Sequence, residues 1–255
     1  MFERLKVKIV NFLRGGKTVP ARAKASPERL EKIRLLSQKT LTDDSEIKRV
    51  DIVMLKYKEP LEVIDRAISN IIHRTEWPFT LTVYDNRPNP PNMSKIWNRL
   101  THESTADYVC IMDSDAFVPN LSPCWLTRMM ESIDEKGVVV PLGDNVTGIN
   151  KAVRGEPKPY PSSRIGKGIW TGFFFLFKKS LWEKEPFDEE FFIYGEDGEW
   201  AERLTRKYGG VVLRDDVLVH HIRGFSFKLL QKKGEIDREA DGDYAQALLE
   251  KRRKV

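Results

Sequence analysis

Cysteine is nearly absent from this chain: two residues in 255, Cys110 inside an apolar run and Cys124 after a proline. Two such thiols supply neither a disulfide framework nor a metal-ligand spacing, and buried free cysteine packs as a small hydrophobe. Long apolar runs are missing too. The densest, Phe173-Phe174-Phe175-Leu176-Phe177, falls far short of the roughly 20 residues that a membrane-spanning helix needs. Glu3, Arg4, Lys6 and Lys8 interrupt Met1 to Arg14, so there is no clean apolar stretch of a secretory signal and cytoplasmic residence is expected. No internal repeat is visible. With 40% hydrophobic and 32% charged residues, the composition is that of a folded chain, not a disordered one. The net charge of +5 lies largely at the two ends, which suits surface attraction and not nucleic-acid recognition.

The ends differ from the middle. In residues 1–48, Phe2, Leu5, Ile9, Phe12 and Leu13 share one side of a predicted helix flanked by Lys6, Lys8, Arg14 and Lys17. Such a basic amphipathic helix suits peripheral contact with an anionic membrane face, or equally packing on the domain or a partner subunit. Gly15-Gly16 breaks the pattern, and Pro27 to Ser37 reads as a second short helix. A basic tail over 228–255, ending Lys251-Arg252-Arg253-Lys254, is expected to be helical. Residues 49–227 between them read as the catalytic domain.

That middle segment alternates strands and helices. Strands are predicted at Asp51 to Leu55, Phe79 to Tyr84 and Tyr108 to Met112, and helices at Pro60 to Ile72 and Met93 to Leu100. The pattern predicts an α/β fold with a single mixed, mostly parallel sheet flanked by helices, its functional groups at the carboxyl ends of the strands. Asp85, Asp113 and Asp115 all fall there. Further on come a helix near Trp125 to Ile133, a strand at Val138 to Leu142 and a long Gly-, Pro- and Lys-rich loop from Gly143 to Gly168, the kind of loop that is usually functional or mobile. A strand at Thr171 to Phe177, a helix at Asp197 to Tyr208, and strands at Val211 to Leu213 and Val217 to Val219 complete the reading.

Three groups carry chemistry. Asp113 and Asp115, one residue apart at a strand end, can share a hard divalent cation such as Mn2+ or Mg2+, whose shell substrate phosphates often complete. Glu196-Asp197 opens a predicted helix, and His220-His221 follows the last core strand. An acidic pair at a helix start also fits the helix dipole. Adjacent histidines alternate faces, so one is expected inward and one outward.

Over roughly Val50 to Ser226 the chain resembles the family 2 glycosyltransferases. The likeness is carried by Thr171-Gly172-Phe173-Phe174-Phe175-Leu176-Phe177-Lys178-Lys179 and by Pro186-Phe187-Asp188-Glu189-Glu190-Phe191-Phe192-Ile193-Tyr194-Gly195-Glu196-Asp197. It is similar to the rhamnosyl- and galactofuranosyl-transferase branch in particular. The resemblance implies the GT-A fold and metal-dependent, inverting transfer of one sugar from a nucleotide diphosphate sugar to a hydroxyl of a glycan or lipid-linked glycan. It implies that Asp115 binds the metal, that Asp113 contacts the ribose or a metal-bound water, and that Asp85 reads the base. Asp197 is then the catalytic base, with Glu196 beside it at the acceptor site. A histidine after the last strand is a further metal ligand, His220 favoured over His221. Trp170, Thr171 and Gly172 become acceptor-site candidates, with Trp170 open between a core anchor and a sugar-stacking platform. Arg154, Lys158, Arg164 and Lys167 read either as diphosphate contacts or as a solvated loop.

The chain departs from the family pattern in two places. The first strand leads into Leu55-Lys56-Tyr57-Lys58-Glu59-Pro60 instead of a Pro-X-Tyr-Asn-like turn, and the base-reading end is Asp85-Asn86 where two acids are frequent. The Gln-X-X-Arg-Trp motif of processive synthases and their membrane helices are absent, which favours addition of single sugars. Two other readings stand beside this one: a sugar-nucleotide nucleotidyltransferase, and a non-catalytic glycan- or nucleotide-binding scaffold.

Overall fold

The computed structural model describes residues 7–10, 48–56, 59–85, 92–143, 164–166, 172–192, 194–222 and 238–253. Trp170, Thr171, Arg154, Lys158, Lys167 and the predicted helix at Pro27 to Ser37 lie outside them. Val7–Val10 forms a strand, β1, where the sequence reading placed part of an amphipathic helix. It pairs in parallel with Phe79–Asp85, and β-branched Val7, Ile9 and Val10 are residues that suit an extended pleated backbone. The expected helix over Met1 to Arg14 is therefore corrected at these four positions.

From Val50 the chain builds a parallel half-sheet. Val50–Lys56 (β2) is buried along almost its whole length, as a strand covered on both faces must be. Leu61–Arg74 (α1) follows Pro60, whose fixed φ is already helical, and turns Ile64, Ala67 and Ile71 inward while Leu61 stays exposed. Phe79–Asp85 (β3) returns beside β2. Met93–Glu103 (α2) starts where the Asn92 side chain accepts a bond from Lys95 N at 2.9 Å. Tyr108–Asp113 (β4) then pairs in parallel with the other edge of β2.

After the short strand Ala116–Phe117 (β5) and the helices Trp125–Glu131 (α3) and Ile133–Lys136 (α4), Val138–Gly143 (β6) enters the sheet. Arg164–Gly166 (β7), Phe174–Lys178 (β8), Lys179–Trp182 (α5), Glu196–Tyr208 (α6), Val211–His221 (β9) and Arg238–Arg253 (α7) complete the described elements. The nine strands run β1-β3-β2-β4-β8-β6-β9-β5, with β7 also on β9. Strands β5, β7 and β8 run against the other six, so the sheet is mixed with one prevailing direction.

Strand alternation supplies two cores. Tyr108, Cys110 and Met112 face a layer made by α1, α3 and α4, and Val109 and Ile111 face one made by α2 and α6. Trp125 and Trp200, both fully buried, anchor the two layers. Cys110 and Cys124 are free and buried within the first. Strands predicted separately at Val211 to Leu213 and Val217 to Val219 are one strand, β9, interrupted by an irregularity.

Each end segment contributes an element to this body: β1 extends the sheet, and α7 docks through Ala245 and Leu248 onto Phe191, with Arg252 paired to Asp188 at 2.7 Å and Glu190 at 3.0 Å. Among the described residues, no helix is long and apolar enough to cross a membrane.

Candidate active site

The carboxyl ends of β3, β2 and β4 lie side by side, because Lys56 is in register with Asp85 and Leu55 with Asp113. Asp85 is buried there, with its Oδ2 3.2 Å from Lys56 Nζ, a partner the sequence reading did not assign to it. Asp113 ends β4, and its backbone N–H donates to Phe173 O at 2.9 Å. A turn follows, then β5 pairs with the end of β9 so that Ala116 meets His221 and Phe117 meets His220. Ile222 N–H donates to Asp115 O at 3.1 Å, fastening the end of β9 to the acidic turn.

This pairing brings His221, not His220, to the carboxylates. His221 Nε2 lies 3.2 Å from Asp115 Oδ1 and 3.5 Å from Asp113 Oδ2, and its ring stacks on Phe173 at 4.1 Å between centroids. One donor atom from each of Asp113, Asp115 and His221 lies within 4.8 Å of the others. His220 faces outward, exposed beside Phe117. The preference for His220 is corrected: neighbouring strand residues point to opposite faces, and only the odd-numbered one is on the side of the acids.

The electrostatics follow from this crowding. Burial pushes the Asp113 carboxyl up to about 6; the His221 hydrogen bond opposes the rise, and Asp115 and Glu59 add repulsion. Burial works against a charged His221, but its bonds to Asp113 and Asp115 prevail and raise it to about 9. Two carboxylate oxygens and an imidazole nitrogen held this close suit a hard or borderline divalent cation, for which proton and metal compete.

Across from the cluster, Gly195 opens α6 with a φ of 79°, a left-handed turn that glycine adopts without strain. It aims the first turn of α6, with Glu196 and Asp197, at the start of β8. Asp197 covers Gly172 so closely that a Cβ there would lie 2.6 Å from Asp197 Cγ. Gly172 precedes Phe173, the residue stacked on His221, so acid, turn and histidine are contiguous. Burial, then the charges of Asp197 and Asp113, raise the Glu196 carboxyl well above its usual value. Its Oε2 is buried with no hydrogen-bond partner among the described residues.

Lys56, Glu59 and Phe173 belong to this site and were not given roles from sequence. Val217 and Val219 share a face with His221, but Val211 and Leu213, equally odd-numbered, face the other layer, so the period of two does not carry through the irregularity in β9. Arg164 falls in β7, away from these strand ends in register with Leu213.

The architecture is the GT-A fold. No family model matches the sequence, and no curated protein matches it. Solved structures carry the assignment: that of GalNAc-T7 with UDP, GalNAc and Mn2+ has a TM-score of 0.55 at 13% identity, over 70% of this chain and 44% of that one. The mannosyltransferase PcManGT from Pyrobaculum calidifontis, in complex with GDP-Man and Mn2+, has a TM-score of 0.56 at 15% identity, over 80% of this chain and 68% of that one. This chain thus spans less than half the length of the first.

Proposed function

We propose that this chain is a metal-dependent inverting glycosyltransferase, moving one sugar from a nucleotide diphosphate sugar to a hydroxyl of a glycan or lipid-linked glycan. The observation that carries the proposal is the convergence of Asp113, Asp115 and His221 at the carboxyl edge of the sheet, with the Glu196-Asp197 pair across Gly172. The two similar structures hold nucleotide or nucleotide sugar together with Mn2+, which supports the same ligand class here.

Asp113, Asp115 and His221 would hold the divalent cation; when bound, it supplies positive charge against the diphosphate of the departing nucleotide. The remaining work belongs to side chains. Asp197 accepts the proton of the acceptor hydroxyl as that oxygen attacks the anomeric carbon, a displacement that inverts configuration. Glu196, buried beside it with its carboxyl raised well above the usual range by burial and by the Asp197 charge, is the neighbour of that base at the acceptor side. Asp85, paired with Lys56 at the neighbouring strand ends, is the group assigned to the base of the donor.

Thermal unfolding with UDP, GDP, dTDP and CDP, with and without Mn2+, tests this on the wild type and Asp115→Ala. A ligand at about 100 times its Kd adds roughly 2.7 kcal/mol, worth about 5 to 10 °C in a chain of this size. One nucleotide should stabilise, only with Mn2+ and only when Asp115 is present. Absence of any stabilisation in all combinations would reject the donor reading. Asp197→Ala should abolish transfer while leaving donor binding intact, an outcome that a scaffold or a nucleotidyltransferase does not produce.

A further inference from the structure

Strand β9 carries a defect that decides which histidine enters the site. Val139, Val140 and Pro141 of β6 pair with Val212, Leu213 and Arg214 in unbroken register, but the next residue, Leu142, pairs with Leu218. Asp215, Asp216 and Val217 are extra to the ladder. An odd number of extra residues exchanges the two faces of a strand. The packing records the exchange: before the defect even-numbered Val212 faces the α1, α3 and α4 layer, and from the last residue of the defect onward odd-numbered Val217 and Val219 do. Val211 and Leu213, also odd-numbered, face the opposite layer. Continued without the defect, the period of two would turn His220 toward Phe173 and the acids, and His221 away.

A buried ionic network sits on the defect. Asp216 grips Arg214 in a two-pronged pair, Oδ1 to Nε and Oδ2 to Nη2, both at 2.8 Å. The same Oδ2 accepts from Arg128 Nη1 of α3 at 3.1 Å. Arg128 is itself tied to Pro123 O and Ser122 O at 3.0 and 3.1 Å. Arg214 Nη1 donates to Arg128 O and, at 3.1 Å, to Ser132 Oγ. Exposure of Arg128, Arg214 and Asp216 is 7%, 2% and 5%. Buried ionic groups of this kind add little net stability over apolar residues, and their best-attested use is to fix register.

We infer that the Arg128-Asp216-Arg214 network holds the three-residue defect in β9 and thereby selects His221 over His220 for the cluster with Asp113 and Asp115. Asp216 is then a positioning residue: it touches no substrate and acts through the register of the strand behind it. The inference rests on the proposed metal reading for its consequence, though not for its geometry.

The experiment replaces the network by apolar residues of similar size, Arg128→Met, Arg214→Met and Asp216→Leu together, a change that leaves many proteins folded. Two readouts are taken on full-length protein: Mn2+ affinity from the electron paramagnetic resonance of free Mn2+, and, without metal, the His221 ring-proton resonances, displaced by stacking on Phe173. Expected is a cooperatively folded variant whose Mn2+ affinity falls about 10- to 100-fold, the range for supporting partners of metal ligands. The stacking displacement should be lost as well. In the wild type His221→Ala should abolish the affinity and His220→Ala leave it unchanged; in the apolar background the two should no longer differ.

A folded variant with affinity within twofold of wild type and an unmoved His221 signal overturns the inference. Should the triple variant not fold, Asp216→Asn, equal in size but uncharged, is judged by the same two readouts. If the wild type binds no Mn2+ but the His221 signal still moves with the network, the metal reading fails and the positioning role stands. If His220→Ala is the variant that abolishes binding, the metal reading stands and the positioning role fails.

Discussion

Gly172→Ala is the most economical test of Asp197, because the structure gives both the displacement and the direction. The methyl carbon would sit 2.6 Å from Asp197 Cγ and nearer still to Oδ2, whereas nonbonded carbons rest at about 3.5 to 4.0 Å. The carboxylate must therefore move by about 1 Å or more. The backbone at 172 cannot retreat easily: the next residue accepts the Asp113 N–H through its carbonyl and stacks on His221. Nor can α6, which is anchored by buried Trp200 and Leu204. Only the half-buried Asp197 side chain is left to rotate. Gly172 does not have a positive φ, so space alone opposes the methyl group.

A misplacement of about 1 Å costs roughly 10²-fold in rate, or about 2.7 kcal/mol of barrier. The loss expected for Gly172→Ala is thus about 10²-fold in kcat for sugar transfer. Mn2+-dependent stabilisation by the nucleotide should be unchanged, and Tm should lie within a few degrees of wild type. Gly198→Ala is the matched control. It lies in the same first turn of α6 with nothing within 4 Å of its added carbon, so it should keep full activity and gain up to about 1 kcal/mol from helix propensity. Wild-type turnover in Gly172→Ala would refute the placement of Asp197 as proton acceptor. Simultaneous loss of nucleotide stabilisation would show instead that the methyl group had disturbed Phe173 and His221.

Because burial opposes but Asp113 and Asp115 raise His221 to about 9, a proton must leave before the imidazole can ligate. Apparent Mn2+ affinity should therefore climb with pH toward 9, by at most about tenfold per unit, with proton release measurable by calorimetry in buffers of different ionisation enthalpy; a flat profile in the wild type would count against His221 as ligand. Without metal, a raised histidine contributes stability that is complete below its unfolded value near 6.5 and lost as pH rises through about 9. Asp113, raised from 3.8 to about 6, loses its contribution over that lower interval in the same sense. The Tm of metal-free protein should thus fall as pH rises from 6 to 9, and His221→Gln should flatten the fall. Leu248→Ala, emptying the contact of α7 with Phe191, should cost about 2 kcal/mol at the low end of such truncations and raise the acceptor KM more than the donor KM. Equal effects on both would mean that α7 stabilises the fold without steadying the segment before Glu196.

The parallel half of the sheet was legible because each element there obeys a local rule. Ile52 to Leu55 is a continuous apolar run, Pro60 marks a helix start, and the acids of interest fall at strand ends. Such signals need no knowledge of the partner strand. The start of α6 was legible for the same reason, since acids such as Glu196 and Asp197 favour the first turn of a helix. Val7–Val10 was misread because the alternation of apolar and basic residues from Arg4 to Ile9 sits inside a longer stretch whose Phe2, Leu5, Ile9, Phe12 and Leu13 also satisfy a helical period. The docking of α7 was invisible for a different cause: its contact with the core is made by Ala245 and Leu248 alone among the side chains described as buried, too narrow a stripe to stand out from a charged helix.

His221 marks the limit of local reading. Residue type and order placed two histidines after the last strand, and a period of two guaranteed that one faced the acids. Which one depends on how many residues separate Arg214 from the partner of Leu142, and that number is set by contacts among Arg128, Arg214 and Asp216, from elements 86 residues apart. Read from sequence, Arg-Asp-Asp inside a valine-rich strand is a sign of where the strand should end, because charged residues rarely enter a core unpaired. In the folded protein all three are buried, Arg214 is paired with Asp216, the strand continues, and its faces are exchanged. A charged interruption in an otherwise apolar strand therefore carries two incompatible messages, a terminus or a paired bulge, and a partner such as Arg128 on the covering helix is what separates them. The meeting of His221 with Asp113 and Asp115 depends on the second.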